Sequence, residues 1–183
     1  MGCSSSSQIA ADRAFLDQLP RVENPVLLHG AWHVHRTTLP MWLHADDKFA
    51  PTLNYGPLVP PVATKMTDTV IYHKRDGSVS DIRGENVQDV SCSAHFTWRG
   101  YGLLRFITSE WYFLHVDHDA GVAVIYFTST LFTPEGMDVV SRAGPLGGAD
   151  NASSLNAAVE HVRGRFAILQ PLLGRLATPP LRP

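Results

Sequence analysis

The 183-residue sequence predicts a mainly β protein: a single up-and-down antiparallel β-barrel of about eight strands, with a short N-terminal helix and a C-terminal α-helix packed on the barrel. Extended runs with a period of two fill the middle of the chain, short turns join each run to the next, and the closing segment switches to helical spacing. Such a meander must bury one face and dispose of its edges, and closure into a barrel does both.

The elements follow in order. Residues 8–19, "QIAADRAFLDQL", place Ile9, Phe15, Leu16 and Leu19 as the apolar positions of a short helix that stops at Pro20. Residues 1–25 read as a tail with this helix, and residues 26–183 as the barrel with its terminal helix. "VLLHGAWHVHRTT" starts the first strand. Residues 39–64 carry prolines at 40, 51, 57, 60 and 61, which break regular structure, and a loop this long inside a compact domain is commonly a lid or a binding loop. "MTDTVIYHKRDGSVSDIRGENV" is two extended runs joined at Asp76-Gly77, a strong hairpin signal. "SAHFTWRG", "YGLLRFITSEW" and the pair in "EWYFLHVDHDAGVAVIYFTST", turning at "DHDAG", continue the meander. Leu155, Val159, Val162, Phe166, Leu169 and Leu173 then form one apolar helix face, with Asn151 or Ser153 able to cap its start and Pro171 disturbing its last turn.

Composition narrows the function classes. Hydrophobic residues at 44% against 17% charged describe a globular chain, and a net charge of -2 without a basic stripe argues against a nucleic-acid partner. Cys3 and Cys92 make no disulfide framework. The start shows no secretory signal, and the apolar run "GVAVIYF" is strand-sized, so a cytoplasmic setting is expected. "MGCSSS" fits the myristoylation pattern, with Gly2 exposed after methionine removal and Ser6 in place, and Cys3 is available for a second acyl chain. Acylation there would attach the protein peripherally to a membrane. The same letters also suit a serine-rich start that happens to follow Met-Gly.

Gly30-x-Trp32 at the head of the first strand, before the meander and a terminal helix, resembles the lipocalins and the wider calycin superfamily. The resemblance implies that the indole plugs the closed end of the barrel. "TSEW" (108–111) looks like a variant of the family's second motif, Thr-Asp-Tyr, with Ser109 for Asp and Trp111 one residue late. The third motif is an arginine closing the last strand and packing over the tryptophan. Its expected place in "YFTST" holds Ser129, while Arg142 in "VVSRAG" is the alternative, a departure from the pattern. "HRTTLPMW", "FTWRGYG" and "YFTSTLFTPEGMDVVSR" look more like a lipocalin-like group common in fungi and other microbes than like secreted animal carriers.

A barrel of about eight strands leaves an interior just wide enough for side chains or one small ligand. If Trp32 points inward, alternation sends Val34, Arg36 and Thr38 inward and His33 and His35 outward. Ala94, Phe96 and Trp98 share a face opposite His95, Thr97 and Arg99, both faces are apolar after residue 110, and inward or outward parity stays open for the strands after residue 90. Arg36 in an apolar barrel would need a carboxylate or an anionic ligand as partner. Tyr55, Tyr72, His73, His95 and Tyr126 could orient or protonate a guest. Met41 and Trp42 sit in the proline-rich loop that the resemblance folds over the open mouth. His33-x-His35 and His115 with His118 lack a third ligand at metal-site spacing, so no metal and no cofactor are expected.

The leading expectation is a carrier for a small lipophilic or amphipathic molecule, with Arg36, Thr38, Met41, Trp42, Tyr55, Tyr72, Phe96, Trp98, Trp111 and Tyr126 as ligand contacts. The alternative is an isomerase or cyclase of such a molecule, using Arg36, His95 and Tyr72 as catalytic groups, since a shaped pocket with one or two hydrogen-bond donors suffices. A third is a membrane-tethered carrier, acylated at Gly2 and Cys3. Turnover against unchanged co-purified ligand separates the first two, and fractionation of a Gly2→Ala protein tests the third.

Overall fold

The computed structural model describes residues 13–22, 25–43, 47–57, 65–144 and 148–181. Eight strands form one closed barrel: β1 Gly30–Thr37, β2 Phe49–Tyr55, β3 Lys65–His73, β4 Val79–Gln88, β5 His95–Gly100, β6 Thr108–Asp117, β7 Val122–Phe127 and β8 Gly136–Ser141. Each pairs antiparallel with the next, and β8 returns to β1, so no edge is left open. The Asp76-Gly77 turn joins β3 to β4 with Gly77 at a φ of 82°.

Three register slips interrupt the barrel; one lies between Phe49 and Thr52 on β2, and the other two decide which way the predicted residues of β1 and β6 face. β1 against β8 steps from Val34↔Val140 to Arg36↔Val139, which leaves His35 as an extra residue. β6 against β7 steps from Phe113↔Ile125 to His115↔Val124, which leaves Leu114 extra. A bulge of one residue swaps the faces of everything beyond it. Trp32 and Val34 therefore point inward, and so does Thr37 instead of Arg36. Arg36 lies on the outer wall, where its guanidinium donates to Asn156 Oδ1. The expectation of an inward Arg36 is overturned by this bulge. On β6, Trp111 and Phe113 face in, whereas His115 faces out and meets the His161 ring at 4.6 Å.

The outer wall carries a second apolar layer. Helix α3, Gly148–Arg165, packs across β6, β7 and β8. Its Leu155, Val159 and Val162, then Phe166, Leu169 and Leu173 beyond its end, are all buried, as the spacing predicts. The helix begins at Gly148, so Asn151 and Ser153 lie inside it and neither is the cap. A 3-10 turn, Ala167–Leu169, and the short α4, Gln170–Leu173, with Pro171 in its first turn, follow. Of the helix expected over residues 8–19, residues 8–12 lie outside the described residues; α1 spans Arg13–Leu16, and its Phe15 ring packs against Tyr112, Tyr126 and Phe166 at 5.5–5.9 Å. Beyond α4 the chain end pairs with β1 through reciprocal Thr37–Ala177 backbone hydrogen bonds, and the Pro180 carbonyl accepts the Ala50 N–H. No helix among the described residues is long and apolar enough to cross a membrane. Gly2 and Cys3 lie outside the described residues.

One barrel end is sealed. The Trp32 indole is 1% exposed and donates Nε1–H to the Leu28 carbonyl at 2.9 Å. The Arg142 guanidinium lies 4.0 Å from the indole ring centroid and donates to the Leu27 and Ala31 carbonyls. Gly30 has a φ of 104°, and a Cβ there would sit 2.9 Å from Arg142 Nη1, so the glycine gives the arginine its space. β8 ends at Ser141, so the arginine that follows the last strand is Arg142, and Ser129 belongs to the loop before β8. The departure expected at Ser129 is thereby removed. Thr108 opens β6 at the opposite, open end, and Ser109 and Trp111 line the cavity there.

Candidate functional site

The open end leads to a cavity of about 240 Å³. That is just under the usual span of about 300–1,000 Å³ for ligand pockets, so the space suits a small guest. Its walls come from the inward parity of the strands: Leu53 and Tyr55 on β2, Val70 on β3, Ile82 on β4, Trp98 on β5, Trp111 on β6 and Phe127 on β7. The roof is the β1–β2 loop, where helix α2, Pro40–Leu43, sets Met41 and Trp42 over the opening together with Leu39. Leu104, Ile107, Phe132 and Thr133 from the other mouth loops complete the rim.

Aromatic packing fixes the walls. Trp111 stacks on Phe96 at 4.4 Å and on Tyr55 at 5.8 Å, and Phe113 meets it edge-on at 5.1 Å. Its Nε1–H donates to Asn86 Oδ1 at 2.8 Å, and Asn86 Nδ2 in turn donates to Asp68 Oδ2 at 3.2 Å. This chain spends one oxygen of Asp68 and leaves the other, Oδ1, buried without a partner. Across the barrel Asp138 on β8 is 1% exposed, and neither of its carboxyl oxygens accepts a hydrogen bond. The Thr37 hydroxyl lies close enough to favour the Asp138 charge a little, but short of full hydrogen-bond geometry. Burial lifts both carboxyls to about 7, with the Asn86 amide opposing the rise at Asp68. Burial also pushes the Tyr55 hydroxyl well above its ordinary value, and the Asp68 and Asp138 charges add to that.

The residues picked out from the sequence separate into three groups. Met41, Trp42, Tyr55, Trp98 and Trp111 line the cavity. Tyr72 and Phe96 stand one layer behind: Tyr72 carries Trp42 at 5.9 Å, with Lys48 Nζ 5.7 Å from its ring centroid, and Phe96 carries Trp111. Arg36, Thr38, His95 and Tyr126 do not reach the cavity. Arg36 is turned out by the bulge. Thr38 Oγ1 accepts the Met137 N–H at 2.8 Å in the strand-end backbone. His95 stacks on Tyr112 at 4.4 Å on the outer wall, with Nδ1 3.2 Å from Asp89 Oδ2. Tyr126 pairs with Tyr112 on that wall and donates its hydroxyl to Glu135 Oε2 at 3.1 Å. His73 is exposed.

His33 and His35 are spent in the wall as well. His33 Nδ1 lies 3.2 Å from Thr52 Oγ1, and His35 Nε2 lies 2.9 Å from Ser141 Oγ and 3.1 Å from the Ala143 carbonyl. Burial lowers both imidazoles below their ordinary value. Among the described residues, no group of three or more His, Cys, Asp or Glu side chains gathers as for a metal. Sequence reasoning missed Asp68 and Asp138. The signal for Asp68 was present: it keeps step with Met66, Val70 and Tyr72 on the inward face of β3.

No protein-family model matches the sequence, and no curated protein matches it. Solved structures do. Apocrustacyanin C1 is 12% identical, with 98% of this chain and 88% of that one covered at a TM-score of 0.61. The H1 crustacyanin from the lobster Homarus americanus is 15% identical, covering 97% and 87% at 0.57. The siderocalin Ex-FABP, which functions through dual ligand specificities, is 11% identical, covering 84% and 94% at 0.55. At these identities the likeness speaks to architecture, and together with the closed eight-strand barrel it shows a lipocalin/calycin-like fold.

Proposed function

We propose that this lipocalin-like barrel binds a small lipophilic or amphipathic molecule in the cavity beneath Met41 and Trp42. The observation that carries the reading is the cavity itself: rigid aromatic walls, an apolar roof and a few placed polar groups, in a barrel whose other end is plugged by Trp32. The isomerase or cyclase alternative loses ground, because Arg36 and His95 sit on the outer wall and Tyr72 stands behind Trp42. A general acid or base must come within hydrogen-bond reach of the reacting group.

Titration with 1-naphthylmethanol, a neutral aromatic probe, tests the reading by calorimetry and tryptophan fluorescence. Saturable one-to-one binding is expected, lost in a cavity-filling Ile82→Trp protein. No saturable binding by the wild type of this probe or of its amine and carboxylate counterparts would refute it. From the Gly2 and Cys3 pattern we also infer peripheral membrane attachment through N-terminal acylation. Identical fractionation of wild-type and Gly2→Ala proteins would refute that part.

A further inference from the structure

Among the described residues, the cavity carries acid and no base. Among its described lining residues are Asp68 and Asp138, and none is Lys, Arg or His. Three carboxyl oxygens, Asp68 Oδ1 and both of Asp138, are buried there without a protein partner. A buried carboxylate left unpaired is strongly destabilising, and folded proteins supply such groups with hydrogen bonds or counter-charge. Arg142, whose charge reaches the Tyr55 hydroxyl, already serves the Leu27 and Ala31 carbonyls and the Trp32 ring at the sealed end. Among the described residues, the groups seen to act on the two carboxyls or to feel their charge are the Tyr55 hydroxyl, the Asn86 amide and the Thr37 hydroxyl, none of them a cation.

Resting on the reading of this cavity as a ligand site, we propose that its guest is an amphipathic amine. The apolar body lies among Trp98, Trp111 and Phe127, and a protonated nitrogen meets the Asp68 and Asp138 carboxylates. Charge-assisted N–H···O bonds are about twice as strong as neutral ones and draw on the unpartnered oxygens. The faces of the wall aromatics add cation–π attraction for the same end of the molecule. A fatty acid or other carboxylate brings a third negative charge into the same apolar space and is excluded by it. Specificity then lies in the sign of the guest's charge, while shape is left to the walls.

Three probes of one shape test this: 1-naphthylmethylamine, 1-naphthylmethanol and 1-naphthoate, titrated calorimetrically into the full chain at about pH 8, where both carboxyls are largely ionised. The amine is expected to bind at least about tenfold tighter than the alcohol, and the carboxylate at least about tenfold weaker. Asp68→Asn and Asp138→Asn are each expected to cut the amine's preference over the alcohol about tenfold, and cooperative urea unfolding shows the variants folded. Alcohol binding with no amine preference overturns the proposal and leaves the binding reading standing. Failure of all three probes overturns both. An amine preference unchanged in both Asn variants overturns the assignment to these carboxyls.

Discussion

Asp138→Asn replaces a titrating group in the barrel wall by a neutral one of the same shape, and its effect on stability can be worked out from burial. Asp138 rises from 3.8 to about 7 on folding. Its folded value lies above its unfolded one, so the folded chain holds this proton more tightly. The resulting stabilisation is fully present below about pH 4 and is lost as pH climbs to about 7. From 3.8 to about 7, at about 1.4 kcal/mol per unit, the loss amounts to about 4 kcal/mol. The amide in the variant does not titrate. It leaves buried polar atoms unpaired at every pH, an offset of about 1–3 kcal/mol that cancels when two pH values are compared. Urea unfolding of both proteins, followed by tryptophan fluorescence, measures the outcome. The stability of the variant relative to the wild type should rise by about 4 kcal/mol between about pH 4 and about pH 8. A difference that stays constant across that range would refute the reasoning, because it would mean that Asp138 keeps its ordinary value in the folded barrel.

Other substitutions separate the two faces of the barrel wall. Arg36→Ala should leave 1-naphthylmethanol affinity within about threefold and lower stability by less than about 1 kcal/mol, since the side chain bonds only Asn156 on the half-exposed outer face; calorimetry and urea unfolding check both. Arg142→Met strips the Leu27 and Ala31 carbonyls of their donors and the Trp32 ring of its cation, and should cost about 2–4 kcal/mol in urea unfolding. Trp42→Ala opens the roof and should speed dissociation of a bound probe about tenfold in stopped-flow fluorescence, with a smaller change in its association rate.

Periodic features of the chain were legible in its letters. The apolar face running from Leu155 to Leu173 survives intact through one 18-residue helix and two short helical pieces, because burial against one wall enforces it whatever the helix type. The alternation that puts Phe96 and Trp98 on one face holds because β5 pairs without a slip, while which of its faces points inward was open in the sequence. Alternation failed where a single residue was inserted. Nothing in "HVHRTT" marks His35 as the extra one, since a bulge is a property of the pair and depends on what β8 offers opposite. β8 itself was hidden because "GMDVVS" follows a proline-containing loop and looks like its continuation, which moved the expected arginine from Arg142 to Ser129. Asp68 and Asp138 were readable as polar letters in apolar strands. That Asp68 Oδ1 and both Asp138 oxygens lack a partner is a three-dimensional fact that no spacing encodes.

The pairing of the chain end with Thr37 and Ala50 reaches further than tidying a terminus. Those two residues flank the segment that carries Met41 and Trp42, one at the end of β1 and the other at the start of β2. The roof is thus hung between two fixed points, both supplied by residues 177–180. If the cavity binds a guest as proposed, the speed of its entry and exit depends partly on residues 177–180, far along the chain from any wall of the cavity. A protein shortened to end at Leu176 should release a bound probe faster while its barrel unfolds at nearly the same urea concentration, a kinetic change without a matching loss of stability.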